Sequence, residues 1–405
     1  MKPRRNQTRR IKTCVLVAIT FGGLFCFQRP AHAQSWTWTQ STNAPSLAWW
    51  AVASSSDGTR LAAVVRNGGI YTSTNSGVTW TSNNAPVRNW WAIASSADGT
   101  KLVAAINTTS SANKGGIYSS SDGGNTWNIT GALSNLQSWQ SIASSSNGMN
   151  LAAVGLPLAH VGQIYTSTDS GSTWNLTPPT SFQWNGVASS ADGTKLVATP
   201  YTNIVYTSAN AGATWTSNGI PIPYAWSAAS SADGTKLVVG SLGPPVGSIF
   251  TSSNSGTTWV SNNAPNGAWY SVAASANGTI LAAASPTIIC TSTNFGQNWV
   301  SNDLPPYTWV SVAMSADASK MVAVAYNGPI YTAQLTPPSL SASLSGTSLI
   351  IDWPGSSANF QLQQNPTLLS NLWTAATNLV VLTNGQYQII VPATNPQTFF
   401  RLQNK

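Results

Sequence analysis

The sequence predicts an all-β protein: a seven-bladed β-propeller closed by its N-terminal strand, followed by a small C-terminal β-sandwich. One phrase, of the type Ser-Val-Ala-Ser-Ser-Ala-Asp-Gly-Thr-Lys-Leu-Val-Ala, occurs seven times at intervals of 40 to 49 residues. That period fits one four-stranded propeller blade. The last repeat lacks its final strand, and a matching strand precedes the first repeat. The turn residues of the seven phrases are Asp57, Asp98, Asn147, Asp192, Asp233, Asn277 and Asp317.

Each repeat contains four runs that are typical of short strands. The first run is rich in small residues, as expected for an innermost strand near a crowded axis, and the second is of the Leu-Ala-Ala-Val type. Asp-Gly or Asn-Gly lies between them and predicts a type I′ hairpin turn, in which both central residues need positive φ. The third run is of the Ile-Tyr-Thr-Ser type, and the fourth begins at Thr-Trp. The first run follows Trp49, Trp90, Trp139, Trp184, Trp226, Trp269 or Trp309.

The two ends of the repeat array predict how the ring closes. The seventh repeat stops at Gln334 without a fourth run, whereas residues 37–45 match residues 79–86 of the first repeat. We therefore expect the N-terminal strand to complete the seventh blade, because a ring with an open seam would leave two exposed strand edges.

The N-terminus has the pattern of a secretory signal peptide. A basic start is followed by an apolar run over residues 14–27 and by Ala31-His32-Ala33, a small-residue cleavage site. We expect cleavage after Ala33, a secreted, periplasmic or cell-surface protein, and no membrane span in the mature chain. Twin-arginine export is an alternative to the Sec route. The predicted domains are a signal peptide (1–33), the propeller (34–335), a linker (336–338) and the sandwich (339–405).

The charge of the mature chain argues against nucleic acid as a partner. The full sequence has a net charge of +8, but seven of its 17 basic residues lie before position 34. The remainder is nearly neutral, whereas phosphate recognition requires basic side chains. Cys290 is the one cysteine left after cleavage, so we expect no internal disulfide and a buried thiol in an aromatic position.

Six turns between the third and fourth runs share the box Ser-x-Asp-x-Gly-x-Thr-Trp. Two boxes match in full, with Asp122 and Trp127 in one and Asp169 and Trp174 in the other. This box resembles the bacterial neuraminidase repeat, or Asp-box, of sialidases, xyloglucanase-type hydrolases, sortilin-like receptors and photosystem II stability/assembly factors. The resemblance implies a propeller and no single activity. The C-terminal runs resemble fibronectin type III-like modules. The other four boxes carry Asn75, Asn210, Asn254 and Asn294.

The ionisable residues offer little for catalysis. The chain has no glutamate, and seven of its nine aspartates lie in the repeated turns, where Asp and Asn interchange. Glycoside hydrolysis normally needs two facing carboxylates, and only Asp303 is free of the scaffold in the propeller. We predict no catalytic residue, no metal and no cofactor, although a calcium ion at a turn stays open. The alternative is a divergent carbohydrate-active enzyme that uses Asp303 and His160.

The position of the loops predicts where a ligand binds. Turns between strands one and two and between strands three and four lie on one face and are nearly identical; we call it the constant face. The loops between strands two and three and the crossings to the next blade form the variable face, which is aromatic and nearly uncharged. It suits a neutral glycan or a protein, bound by a monomer. Alternatively, its first-strand tryptophans fill the gaps between blades. The predicted ligand-binding residues are Trp49, Trp90, Trp269, Trp309, Arg66, Arg88, His160, Tyr224 and Asp303.

Overall fold

The computed structural model describes most of the 405-residue chain, and the regular elements of the described part are all β-strands. The described residues fall into two compact units, one of Trp38–Gln334 and one of Met1–Thr37 with Leu335–Lys405. They are residues 17–20, 23–25, 35–108, 115–131, 136–157, 162–179, 182–219, 224–243, 247–336, 340–345, 347–354, 360–366, 373–383, 386–392 and 398–404.

The larger unit is a propeller of seven antiparallel blades, which confirms the predicted fold class. Within blades 1 to 6 the strands follow chain order from the axis outward. Blades 1 to 3 consist of Leu47–Ser54, Leu61–Val65, Ile70–Ser73 and Thr81–Ser82; Trp90–Ser95, Leu102–Ile106, Ile117–Ser120 and Asn128–Ile129; and Leu136–Ser144, Leu151–Pro157, Gln163–Ser167 and Asn175–Thr177. Blades 4 to 6 consist of Trp184–Ser189, Leu196–Pro200, Ile204–Ser208 and Thr216–Gly219; Ala225–Ser230, Leu237–Ser241, Ile249–Ser252 and Val260–Asn262; and Ser271–Ala274, Leu281–Ala284, Ile289–Ser292 and Val300–Ser301.

The seventh blade is closed by the N-terminal strand, as the sequence predicts. Its strands are Trp309–Met314, Lys320–Gly328, Ile330–Thr336 and, outermost, Ser35–Gln40. The next residue, Ser41, donates its backbone N–H to Ile330 O at 2.9 Å and its hydroxyl to Gly77 O of blade 1 at 2.7 Å. The last repeat and the first are therefore held together by the beginning of the propeller chain.

The turns between strands one and two differ from the predicted type I′ hairpin. In the first blade the turn spans residues 55–60, and Gly58, at φ +65°, is its one residue with positive φ. Gly58 N–H donates to Ser55 O at 3.0 Å. The prediction was wrong because it assumed a two-residue connection, whereas six residues leave room for a turn that needs one left-handed position.

A closed ring of seven backbone hydrogen bonds joins these turns around the axis on the constant face. Each donor amide lies next to the turn aspartate or asparagine, and the seven N···O distances are 2.7 to 2.8 Å. Because every blade donates to the next and accepts from the one before, no turn in the ring has a free end. The bonded residues are, in order, Ser56, Ala97, Ser146, Ala191, Ala232, Ala276, Ala316 and again Ser56.

The second unit contains two antiparallel sheets. One has the strand order Ser341–Ser345, Ser348–Pro354, Gln386–Pro392 and Val381–Thr383, and the other has Gly23–Phe25, Val17–Thr20, Phe399–Asn404, Phe360–Asn365 and Thr374–Ala375. Alternate side chains are buried, as in a two-sheet sandwich. Two strands of the second sheet thus lie within the predicted signal peptide, and Val17–Thr20 pairs with Phe399 and Phe400. The buried core includes Leu349, Ile351, Trp353, Phe400 and Leu402.

Candidate functional site

The tryptophans at the start of the first strands are packed between blades. Trp90, for example, is 0% exposed and packs against Val64 and Ile70 of blade 1 and Leu102 of its own blade. Its ring meets Tyr118 edge-on, with centroids 5.3 Å apart. The expectation that these tryptophans touch a ligand was therefore wrong, and their alternative role as fillers of the gaps between blades is the one observed. The four predicted contacts concerned, all fully buried, are Trp49, Trp90, Trp269 and Trp309.

The residue after each buried tryptophan faces the propeller axis instead. In blade 1 the pairing register shifts between Trp49 and Ala51, so that Trp50 is the extra residue of a β-bulge. The same shift occurs in blades 2, 3, 4, 5 and 7. A bulge re-aims the side chain of its extra residue, which explains why a strand buried on both sides presents a side chain to the axis.

The six bulge residues, together with Tyr270, which directly precedes the first strand of blade 6, form the rim of an axial cavity of about 220 Å³ at the variable face. Four of the seven rim positions are aromatic and two carry amides, which are Gln140 and Asn185. Deeper in the cavity, Ser141, Ser271 and Ser311 add hydroxyl groups to an apolar wall. The rim can therefore stack on flat or apolar groups and form hydrogen bonds to neutral polar ones. The seven rim residues are Trp50, Trp91, Gln140, Asn185, Trp226, Tyr270 and Val310.

The register of blade 5 corrects the sequence alignment by one residue. Ala225 pairs with Ser241 in the position that Trp49 and Trp184 occupy in their blades, and it is 0% exposed. Trp226 is consequently the bulge residue and lines the cavity. Its ring centroid lies 6.2 Å from that of its rim neighbour Tyr270.

One arginine is stacked among the rim aromatics. Arg66 directly follows the second strand of blade 1, and its guanidinium carbon lies 4.7 Å from the ring centroid of Trp50 and 5.0 Å from that of Trp91. Tyr326 of blade 7 adds a third ring at 5.7 Å. The two indoles also contact each other, with centroids 4.2 Å apart and ring planes tilted by 39°. The structure thus brings together a predicted residue, Arg66, and three aromatic residues outside the predicted site list.

The other predicted residues of the variable face are not grouped with Arg66. Tyr224 is exposed and packs against Tyr201, with ring centroids 4.7 Å apart and ring planes tilted by 47°. Its backbone adopts φ +58°. Arg88 is exposed and lies on the crossing to blade 2, where its backbone bridges to Gly68 beside Arg66. Asp303 is exposed on the crossing to blade 7. His160 lies outside the described residues, so its predicted pairing with Asp303 stays a prediction.

The carboxylates of the repeated turns are occupied by hydrogen bonds on the constant face. Asp122 accepts the Thr126 amide at 2.9 Å, the Thr126 hydroxyl at 2.8 Å and the Ser120 hydroxyl at 2.8 Å. These bonds lower the pKa of Asp122 to about 2. Asp169 has the same partners in its own box, and Thr173 and Ser167 lower its pKa to about 2. Both carboxylates act as acceptors within their turns.

The tryptophans that close these two boxes, Trp127 and Trp174, are half-buried. Trp127 packs at 6.4 Å from the buried Trp90, and Trp174 packs at the same centroid distance from Trp139. In the described part of the chain, no three His, Cys, Asp or Glu side chains are close enough together to hold a metal ion. The same residues include no helix that is long and apolar enough to cross a membrane.

A ring of seven four-stranded blades around an axial cavity defines a β-propeller, and solved propellers resemble this chain. YCF48 bound to D1 peptide superposes with a TM-score of 0.54 and 16% identity over 74% of this chain and 97% of that one. The Niastella koreensis GH74 enzyme superposes with a TM-score of 0.59 and 16% sequence identity, and the match covers 91% of this chain and 73% of that one. The Myceliophteria thermophila Cps50 (Swd1) propeller domain superposes with a TM-score of 0.58 and 14% sequence identity, and the match covers 74% of this chain and 100% of that one.

No protein-family model and no curated protein matches the sequence. At these identities the solved structures establish the fold alone. They include a protein bound to a peptide and an enzyme, so the same ring supports different activities.

Proposed function

We propose that this protein is a non-catalytic binding protein that holds a segment of another protein at the axial cavity of its variable face. The rim of the cavity carries the proposal. Four aromatic side chains and two amides converge there from different blades, each placed at or directly before the first strand of its blade. Aromatic anchors surrounded by neutral hydrogen-bonding groups are typical of the centres of protein interfaces.

The use of the aspartates supports binding rather than catalysis. Hydrolysis of a glycosidic bond would normally need two carboxylates facing it. In this chain Asp98, Asp192 and Asp233 accept hydrogen bonds from a serine hydroxyl and from backbone and side-chain donors of a threonine in their own turns. They lie on the constant face, whereas the cavity opens on the variable face. YCF48, a propeller with the same fold, has been solved with a bound peptide.

A neutral glycan is the second candidate ligand, because Tyr201 and Tyr224 form an exposed pair of contacting rings on the same face. Tyr201 is 40% exposed and Tyr224 is 36% exposed. Tyr224 holds a positive φ, a conformation that costs energy in a residue other than glycine. Exposed aromatic faces suit the apolar faces of sugars. We also propose that the protein is exported, because residues 1–33 have the pattern of a signal peptide.

The test is binding of the chain that begins at Gln34 to a displayed random-peptide library and to an array of neutral oligosaccharides. We expect peptides to be retained, and we expect Trp91→Ala to weaken retention roughly tenfold or more because it removes a rim anchor. Phe295→Ala is the matched control, since Phe295 is a half-buried aromatic in a turn of the constant face. It should leave binding unchanged.

Two results would contradict the proposal. Retention of oligosaccharides and not of peptides, lost in Tyr224→Ala but kept in Trp91→Ala, would favour the glycan. Release of reducing ends from a polysaccharide by the wild type, abolished in Asp303→Asn, would show that the protein is an enzyme.

A further inference from the structure

We infer that Arg66 and the three rings around it form a carboxylate-binding subsite, which anchors an acidic side chain or a free C-terminal carboxylate of the bound segment. This inference rests on the proposed function and names the chemical group that the ligand presents beside the rim residues Trp50 and Trp91 of the axial cavity. The position of Arg66, its lack of hydrogen-bond acceptors and the charge of its surroundings support it separately.

The aromatic surround fixes the guanidinium in one position. Trp50 and Trp91 come from the bulges of two adjacent blades, and Tyr326 comes from the second strand of a third. The backbone of Arg66 is also held, because its N–H donates to Ala48 O at 2.9 Å and the chain turns sharply after it. A held guanidinium loses little side-chain entropy when it binds, so it is ready to receive a ligand.

The stacking leaves the hydrogen-bonding capacity of this arginine unused. Aromatic faces attract the positive charge but do not accept the in-plane N–H bonds of a guanidinium. Arg66 Nε is buried and has no hydrogen-bond partner, and Arg66 side-chain atoms form no hydrogen bond with any described residue. A partly buried arginine whose role was only structural would be expected to bond to carbonyl or carboxylate oxygens. Arg66 has no such oxygen acceptor among the described residues.

The local charge favours an anion as the missing acceptor. Among the described residues no carboxylate forms an ion pair with Arg66, and the rim beside it is neutral. The hydrogen-bonded aspartates of the repeated turns lie at the opposite end of the blades. A carboxylate suits a planar guanidinium because it can accept two parallel N–H bonds.

The experiment uses four pools of random hexapeptides that lack Asp and Glu except where stated. The first pool has a free C-terminal carboxylate, and the second differs only in an amidated terminus. The third has an amidated terminus and one fixed Asp, and the fourth has Asn in place of that Asp. Retention by the chain that begins at Gln34 is compared with retention by Arg66→Gln, Arg66→Lys and Arg88→Gln, with the thermal midpoint of each variant as a check on folding.

We expect the wild type to retain the first pool over the second, or the third over the fourth, by roughly tenfold or more, since bonds to charged groups are the strong ones. The pair that shows the preference identifies the source of the carboxylate. Arg66→Gln should abolish the preference and leave the neutral pools as they were. Arg66→Lys should keep part of it, because the charge stays and the planar fork is lost. Arg88→Gln makes the same charge change on the same face and should keep most of it.

The other outcomes would refute either the subsite alone or the proposed function together with it. If all four pools are retained equally, or if the preference survives in Arg66→Gln, the subsite is refuted while peptide binding stands. If no pool is retained by the wild type, the proposed function itself fails, and the subsite with it.

Discussion

The carboxylate of Asp122 and the side-chain amide of Asn75 lie in equivalent turns. In each turn one side-chain oxygen accepts the same backbone hydrogen bond. Asn75 Oδ1 accepts the amide of Thr79 at 2.9 Å, just as Asp122 Oδ1 accepts that of Thr126. The second atom differs: Asn75 Nδ2 donates to the Thr79 hydroxyl at 2.8 Å, whereas the Thr126 hydroxyl donates to Asp122. Because a threonine hydroxyl both donates and accepts, either residue closes the box.

This equivalence predicts how the turn responds to substitution and to pH. Asp122→Asn should leave the thermal midpoint at pH 7 nearly unchanged, and Asp122→Ala should lower it by removing the acceptor for Thr126. The folded pKa of Asp122 is about 2, below its ordinary value of 3.8, so the stabilisation is present above about pH 4 and is lost as pH falls toward 2. Asp98, Asp169, Asp192 and Asp233 share this pKa.

Thermal midpoints measured from pH 7 to pH 2 check both parts. The wild type should lose stability between pH 4 and pH 2, and Asp122→Asn should lose slightly less because one titrating carboxylate has been removed. A fall in Asp122→Asn at pH 7 as large as that in Asp122→Ala would show that the negative charge, and not the acceptor oxygen, holds the turn.

In every blade except the sixth, the first strand has two functions in successive residues. Trp139 packs between blades 2 and 3 among Val103, Ile142 and Leu151, and the bulge residue after it, Gln140, faces the axis. One strand therefore supplies both the apolar filler that holds two blades together and the side chain offered to a ligand. In blade 5 the filler position holds Ala225, and Phe250 of the third strand contributes to the same cluster.

We expect the two adjacent positions of blade 3 to respond differently to truncation. Trp139→Ala should lower the free energy of unfolding by about 3–5 kcal/mol, because it empties a fully buried indole site. Gln140→Ala should change it by about 0.5 kcal/mol or less, since the amide faces the cavity. Denaturant titration of both variants measures the difference. Equal decreases in the free energy of unfolding would mean that the bulge does not separate the residue that packs between blades from the residue that faces the cavity.

The whole ring is closed in two places by different bonds. On the constant face, seven backbone hydrogen bonds join the turns of neighbouring blades. At the outer edge of blade 7, the strand Ser35–Gln40 pairs with Ile330–Thr336, and Tyr331 donates its hydroxyl to Gln40 Oε1 at 3.3 Å. The first closure needs a turn from every blade. The second needs only the strand Ser35–Gln40 and its partner Ile330–Thr336.

Removal of the closing strand tests the second closure. A chain that begins at Gln34 should keep the thermal midpoint of the full propeller, and a chain that begins at Asn43 should melt lower and self-associate, because Ile330–Thr336 becomes an exposed edge. Calorimetry and light scattering measure the two effects. If the protein is exported with cleavage after Ala33, mass spectrometry of the exported chain should show that it begins at Gln34, one residue before the strand. A product that begins beyond Gln40 would contradict this assignment.

Much of the fold followed from the repeat, because its signals are local. Strand runs, turn glycines and the spare strand at residues 37–45 are visible without knowledge of contacts, and they led to the right number of blades and the right closure. The sequence predicted one position wrongly in blade 5. It matched Trp226 to the tryptophans that fill the gaps between blades, whereas the strand pairing places Ala225 in that position. An aromatic residue directly after a buried tryptophan was the available signal for Trp50 and Trp91.

The sequence by itself determined the class of fold, the repeat boundaries, the closing strand and the scarcity of free carboxylates, since each depends on residue types and spacing. Only the tertiary structure decided which side chains meet. A β-bulge moves a side chain from the space between blades to the axis without a signature in composition. Tyr326 lies far along the chain from Arg66, Trp50 and Trp91, but all four come together beside the rim. Such contacts depend on ring closure, which brings the last blade against the first.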